Sequence, residues 1–143
     1  MEILNPLTIP RGDARYLKKV IVATCQTSDL VGNCVHVAGP DTGGIYQVTT
    51  ADPSDYSKMP AIGVIESKQS STECLVRVLG EVLALYTSLT PGSTLFVGPG
   101  GLLSAAPPVP ITGGYAFVQG MGVSLSSTAI LLVPSFSMTK RIW

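Results

Sequence analysis

The sequence predicts an all-β protein, a compact β-sandwich or barrel of β-tulip or jelly-roll type built from two similar β-units. Three observations support this prediction. The 143 residues include 15 glycines and 11 prolines, which interrupt the chain too often for long helices. Short β-branched or aromatic runs recur between turn residues, as is typical of sandwiches and barrels. The same order of turns and strands occurs twice, in residues 31–79 and 91–134.

The first half of the chain supplies five predicted strands. Runs of strand length, bounded by turn residues, lie at 20–24, 33–37, 45–49, 61–66 and 74–79. The second run ends in segment 38–44, whose glycines, proline and aspartate are typical of a turn. Asp52 and Asp55 flank Pro53, and we expect them to cap a turn, with a weak Ca²⁺ site as the alternative.

The second half is predicted to follow the same plan. Strands are expected at 94–97, 101–104, 115–118, 121–125 and 129–133. Residues 81–86 alternate less regularly and predict either a strand or a short helical turn. The glycine-rich segment 98–101 lacks the Lys-Ser/Thr pair of a phosphate-binding loop, so it predicts a hairpin turn.

An internal duplication is the most informative feature of the sequence. VGNCVHV at 31–37 corresponds to PGSTLFV at 91–97, so that Gly32 and Gly92 lie 60 residues apart. IGV at 62–64 corresponds to MGV at 121–123, with Gly63 and Gly122 59 residues apart. We interpret the copies as two β-units whose apolar faces cover each other. A glycine inside each of these strands indicates a bulge or a close backbone approach.

The charges divide the chain into basic ends and an acidic body. Residues 1–19 and 140–143 together carry six cations and two anions, whereas residues 20–139 carry three cations and seven anions. We therefore predict an extended N-terminal arm at 1–19, a single β domain at 20–137 and a C-terminal arm at 138–143. Both arms also hold apolar or aromatic residues of the kind that anchor interfaces. The candidate partner-binding residues are Arg11, Arg15, Tyr16, Lys18, Lys19, Lys140, Arg141, Ile142 and Trp143.

Composition argues against nucleic-acid and membrane partners. The nine Lys and Arg residues balance the nine Asp and Glu residues, so no overall basic field favours nucleic acid. No uninterrupted apolar run reaches the ~18 residues of a membrane-spanning helix, and no signal peptide is expected at the N-terminus. Cys25, Cys34 and Cys74 show no metal-ligand spacing, and we expect buried free thiols in a protein made in a reducing cytoplasm.

No catalytic, cofactor-binding or metal-binding residues are predicted. Cys34 and His36 share one face of a strand, but side chains at i and i+2 point in parallel rather than at each other. As zinc ligands they would fill two of four positions, with no obvious further ligands. The isolated acids form no carboxylate pair at short spacing. The sequence therefore predicts a protein that is not an enzyme.

Two segments carry a resemblance to bacteriophage proteins. DARYLKK at 13–19 resembles the start of modules in phage fibre proteins. LTPGSTLFV at 89–97, GLL at 101–103 and MGVSLSST at 121–128 together resemble a β-domain of tailed-phage virion proteins. The resemblance implies a structural virion protein of the kind found in head decoration (cement) proteins and in fibres, commonly as trimers. It covers the C-terminal third well and the arms hardly at all.

Between these two positions in the virion, the sequence favours the capsid. A fibre usually needs a long repetitive shaft and a receptor-binding tip, and this chain has neither. We expect a cement protein that binds the major capsid protein on the outside of the head as a homotrimer and stabilises the shell. The alternatives are a short tail-fibre or tail/collar adaptor protein, a carbohydrate-binding module with aromatic residues on one sheet face, and an enzyme.

Overall fold

Strands account for nearly all regular structure in the computed structural model, which describes residues 19–143. The all-β prediction is confirmed. Two short 3₁₀ turns, at Tyr56–Lys58 and Pro99–Gly101, are the helical elements of the described residues. The strands are β1 (Lys19–Thr24), β2 (Cys34–Thr42), β3 (Ile45–Thr50), β4 (Ala61–Lys68), β5 (Glu73–Val82), β6 (Thr94–Val97), β7 (Leu103–Ser104), β8 (Tyr115–Val118), β9 (Gly120–Ser124), β10 (Ile130–Leu132) and β11 (Thr139–Ile142).

Predicted and observed strand boundaries differ by a few residues, and two of the differences are informative. Segment 38–44 was predicted as a turn, but β2 continues to Thr42 and pairs with the start of β3, so the turn is confined to Gly43 and Gly44. Residues 81–86 are strand only as far as Val82, where the pairing of β5 with β10 ends. The hairpin turn predicted at 98–101 is confirmed, because it joins the antiparallel strands β6 and β7.

The first five strands form a closed ring of ladders. β1 pairs with β3 in parallel and with β5 in antiparallel orientation, and β3, β2, β4 and β5 pair in that order. Each strand of the ring therefore has a neighbouring strand on both sides over part of its length. The residues that fill it are buried and small or β-branched, and they are Ala23, Cys25, Val35, Val48, Ile65, Cys74 and Val76.

A second sheet grows from the end of β5. Residues 80–82 pair with β10, and β10, β9, β6 and β7 follow in that order. Its core packs against the outside of the ring. Cys34 and Val64 contribute from the ring, and each is next in the chain to a residue of the ring interior, so the two cores lie on opposite faces of β2 and β4. The second sheet contributes Val82, Leu95, Val97, Met121, Ile130 and Leu132.

The two halves of the duplicated sequence form units with the same strand order. β3-β2-β4-β5 corresponds to β7-β6-β9-β10. Each unit has a register shift at the same place, after Val35 in the first and after Leu95 in the second. Val35 fills the ring, whereas its counterpart Leu95 lies in the core between the units. The inner face of the second unit therefore packs on the outer face of the first. The two inner faces do not cover each other, as the duplicated sequence had suggested they would.

Gly63 and Gly122 lie where two backbones meet. A Cβ at Gly63 would overlap the carbonyl oxygen of Arg77, and one at Gly122 would overlap the carbonyl oxygen of Leu131. Gly122 also has φ of +144°, a conformation that side-chain-bearing residues rarely adopt. The close backbone approach predicted from the duplicated glycines is confirmed at both positions.

Gln119 joins the two units through a buried side chain. It is fully buried, its Oε1 accepts from the Ala61 N–H at 2.8 Å, and its Nε2 donates to the Ala61 carbonyl at 2.8 Å. The amide thus satisfies both backbone groups of Ala61 as a neighbouring strand would. Since buried backbone groups are costly when unpaired, this contact helps to hold the two units together.

Substitution of Gly122 by alanine tests the close approach. We expect Gly122→Ala to lower the free energy of unfolding by about 2–4 kcal/mol, because the methyl group adds both overlap and backbone strain. Gly120→Ala, in the same strand with no atom within 4 Å of the new Cβ, should change it by less than about 0.5 kcal/mol. Urea unfolding measures both variants. Equal stabilities of the two would contradict the packing described for β9.

Candidate functional site

The predicted N-terminal binding residues lie mostly beyond what the structure describes. Arg11, Arg15, Tyr16 and Lys18 fall outside the described residues. Lys19, which was assigned to the arm, is instead the first residue of β1 and pairs with Leu79 of β5. Lys19 therefore belongs to the first described strand of the sheet.

The C-terminal segment 138–143 is held on the body rather than extended away from it. Thr139–Ile142 forms β11 and pairs along its length with β8. The Trp143 N–H donates to the Gly114 carbonyl at 3.0 Å, and Arg141 Nη1 donates to the Pro108 carbonyl at 3.0 Å. These bonds fix the four C-terminal candidate residues to one place, because backbone pairing of β8 supplies partners that an isolated arm would lack.

An aromatic cluster supports this β8–β11 ribbon. The Phe117 ring centroid lies 5.5 Å from that of Tyr115 and 5.7 Å from that of Tyr56, and Lys140 Nζ lies 4.8 Å from the Tyr115 centroid. The Tyr56 N–H donates to the Tyr115 hydroxyl at 3.3 Å, which links the 3₁₀ turn to the ribbon. Sequence reasoning missed this cluster because Tyr56 and Tyr115 are distant in the chain.

The ribbon presents a basic and apolar surface. The side chains of Ile142 and Trp143 are 74% and 66% exposed, and Lys140 and Arg141 are exposed beside them. Residues 82–143 contain no Asp or Glu, and Lys140 and Arg141 are the only charged side chains in that part of the sequence. We call Lys140, Arg141, Ile142 and Trp143 the C-terminal surface. Exposed apolar side chains beside cations are characteristic of interface anchors.

A polar cleft of about 520 Å³ lies on the first unit and contains the carboxylate of Asp29. Asp29 is buried and accepts from the Thr50 hydroxyl at 2.6 Å, the Thr50 N–H at 3.0 Å and the Gln26 N–H at 2.8 Å. Burial alone would raise the pKa of Asp29, but these hydrogen bonds and that from the Thr49 hydroxyl outweigh it, so the pKa lies below its ordinary value. The carboxylate thereby fastens the β1–β2 loop to β3.

The residues considered for catalysis or metal binding have structural surroundings. Burial raises the pKa of the Cys34 thiol to about 12, and burial lowers the pKa of His36, so neither a thiolate nor an imidazolium is favoured at neutral pH. Asp52 accepts from the backbone and hydroxyl of Ser54, and Asp55 from those of Ser57, which confirms turn capping. Within residues 19–143, no three His, Cys, Asp or Glu side chains are placed to hold a metal ion together.

Replacement of Asp29 by asparagine tests the role of the carboxylate. We expect Asp29→Asn to lower the free energy of unfolding at pH 7 by about 1–3 kcal/mol, because an amide cannot accept from all four donors. Asp41→Asn removes a carboxylate that accepts one exposed hydrogen bond, and should cost less than about 0.5 kcal/mol. Denaturant unfolding of the two variants measures the difference.

The lowered pKa of Asp29 predicts that its contribution to stability depends on pH. The pKa of Asp29 is lower in the folded than in the unfolded chain, so its stabilisation is present above about pH 4 and is lost as the pH falls through the folded value. The stability difference between wild type and Asp29→Asn should therefore shrink between pH 5 and pH 2. An undiminished difference at the lower pH would show that the charge of Asp29 is unimportant.

Comparisons with protein-family models, with curated proteins and with solved structures find no match to this chain. Residues 19–143 contain no helix of the length and apolarity that a bilayer span requires.

Proposed function

We propose that the protein is a structural virion protein of a tailed bacteriophage, a capsid decoration (cement) protein. In this proposal it binds the major capsid protein on the outside of the head as a homotrimer and stabilises the shell. The observation that carries the proposal is the C-terminal surface, in which Ile142 and Trp143 stand exposed beside two cations on a strand fixed to the body. The phage-like segments at 13–19, 89–97 and 121–128 support the same class of protein.

Binding through this surface has a simple energetic basis. Full burial of a large apolar side chain contributes roughly 1.5–3 kcal/mol, so Ile142 and Trp143 would supply most of the affinity of one site. Lys140 and Arg141 would orient and steer the encounter, since exposed charges contribute more to association rate than to affinity. In a trimer, one docked copy would hold the other two near their sites at high effective concentration.

Other exposed apolar side chains support self-association. Leu79, Val133 and Phe136 are 39%, 51% and 64% exposed and line the same apolar cleft. Monomeric proteins seldom expose large contiguous apolar patches, and oligomer contacts are a common reason for such exposure. The proposed homotrimer would bury this surface between its subunits. The three cysteines are buried and free, which is compatible with synthesis in the host cytoplasm.

The copy number in the virion distinguishes the proposal from its alternative. If the protein coats the head, gel densitometry of purified virions should show it in an amount comparable to that of the major capsid protein. An amount lower by orders of magnitude would overturn the cement proposal. It would favour the alternative, a short tail-fibre or tail/collar adaptor protein.

Point variants test the C-terminal surface without removing β11. We expect Ile142→Ala and Trp143→Ala each to weaken binding to heads assembled without this protein by about tenfold or more, since interface anchors typically contribute about 2 kcal/mol. Leu102→Ala is the matched control, because Leu102 is 61% exposed and lies on another loop. Sedimentation with heads measures binding, and thermal unfolding verifies the fold. Wild-type binding by both variants would exclude this surface.

A further inference from the structure

Within the described part of the chain, strand β11 is paired along one edge and open along the other. It pairs with β8, and among residues 19–143 no other strand pairs with it. All four residues of β11 are exposed. The other edge of β11 is therefore an open strand edge at the C-terminal surface.

The backbone groups that face the open edge can be identified. Trp143 donates its N–H to Gly114, so these two residues form a hydrogen-bonded pair of the β8–β11 ladder. Bonded and non-bonded pairs alternate in antiparallel ladders, which makes Ile142–Tyr115 and Lys140–Phe117 non-bonded pairs. The Phe117 N–H confirms this, because it donates to Pro53 on the side away from β11. The N–H and C=O of Lys140 and Ile142 therefore point outward.

Among residues 19–143, no carboxylate balances the positive charge at this edge. Lys140 lies over the Tyr115 ring and Arg141 donates to the Pro108 carbonyl, and neither forms an ion pair with a described carboxylate. Neighbouring residues in a strand point to opposite faces, so the edge carries one cation on each face. A strand added here would meet a positive charge on both sides.

We propose that the open edge of β11 takes up an extended acidic segment of a partner protein as an additional strand. The outward N–H and C=O groups of Lys140 and Ile142 supply the backbone bonds, and the two cations select carboxylates on either face. Ile142 favours an apolar side chain beside it. The recognised segment therefore carries adjacent acidic residues next to an apolar one. This inference rests on the proposed function, which places the partner on the phage capsid. It adds the chemistry of the segment that β11 would recognise.

A second copy of this chain fits the edge poorly. Two β11 strands paired antiparallel about Arg141 would place the two Arg141 side chains opposite each other, which is destabilising. The recognised segment carries adjacent acidic residues, and no two acidic residues are adjacent in this sequence. The acidic strand must therefore come from a different protein.

Selection from a displayed library of random twelve-residue peptides tests the proposal on the full-length protein. The selected peptides should be enriched in adjacent Asp or Glu residues, and their affinity should fall at least tenfold in two variants. Lys140→Pro removes an outward N–H while sparing the ladder bonds to β8. The double substitution Lys140→Gln and Arg141→Gln keeps every backbone donor and removes the charge. Thermal unfolding verifies that both variants are folded.

Leu102→Ala, on another loop, should bind the same peptides as wild type does. Absence of selected peptides, absence of acidic enrichment, or wild-type affinity for the selected peptides in either variant would overturn the proposal. These outcomes are separate from the copy number in virions. If the protein is abundant on heads but selects no acidic peptides, the cement function stands and this inference fails. If it is scarce on virions but binds acidic peptides at β11, this inference stands and the cement function fails.

Discussion

Strand β5 is the constraint on which the rest of the structure depends, because it belongs to both sheets. Its residues from Glu73 to Leu79 pair with β1, and Gly80–Val82 pair with β10. Gly80 stands at the change of partner with φ of +108°, where a residue with a side chain would be strained. One continuous strand therefore closes the ring and starts the second sheet. Its direction fixes how the second unit lies on the first, and with it the position of β8 and β11.

Because the inner face of the second unit packs on the outer face of the first, the two units have different surroundings. The first unit has both faces covered, one by the ring interior and the other by the second sheet, and its Val64 is completely buried. In the second unit the counterpart Val123 is only partly buried, and Leu131 and Val133 beside it are 38% and 51% exposed. A stacked repeat always has an outermost face, and in this chain it remains apolar. That face adds to the surface that the proposed homotrimer accommodates.

Local features of the fold were predictable because they depend on short-range physics. β-branched runs, turn residues and the duplicated glycines identified most strands and the close approaches at Gly63 and Gly122. The stacking direction was not predictable, because the equivalent positions Val35 and Leu95 are both apolar and suit either interior. Gln119 was also missed, since its two bonds to Ala61 join residues that are 58 apart in the chain.

The candidate site was predicted in part. Lys140, Arg141, Ile142 and Trp143 stand out in the sequence as charged and apolar residues together, and the structure places them on one exposed strand. Their attachment to the body was not predicted, because TKRI at 139–142 lacks the alternation that marks a strand with one buried face. β11 forms because its backbone pairs with β8 and because the Lys140 ammonium group lies over the Tyr115 ring. Tertiary context, rather than local preference, decides this element.

The attachment of the C-terminal segment to β8 changes the entropic cost of the proposed binding. An extended arm would lose about 1–2 kcal/mol of backbone conformational entropy for every residue that becomes ordered on a partner. In β11 the backbone of Thr139–Ile142 is already ordered by its pairing with β8, so that loss belongs to folding rather than to binding. A rigid strand also presents Lys140 and Arg141 on fixed and opposite faces. In the proposed interface, the same four residues would therefore lose less conformational entropy on binding than they would on a free arm.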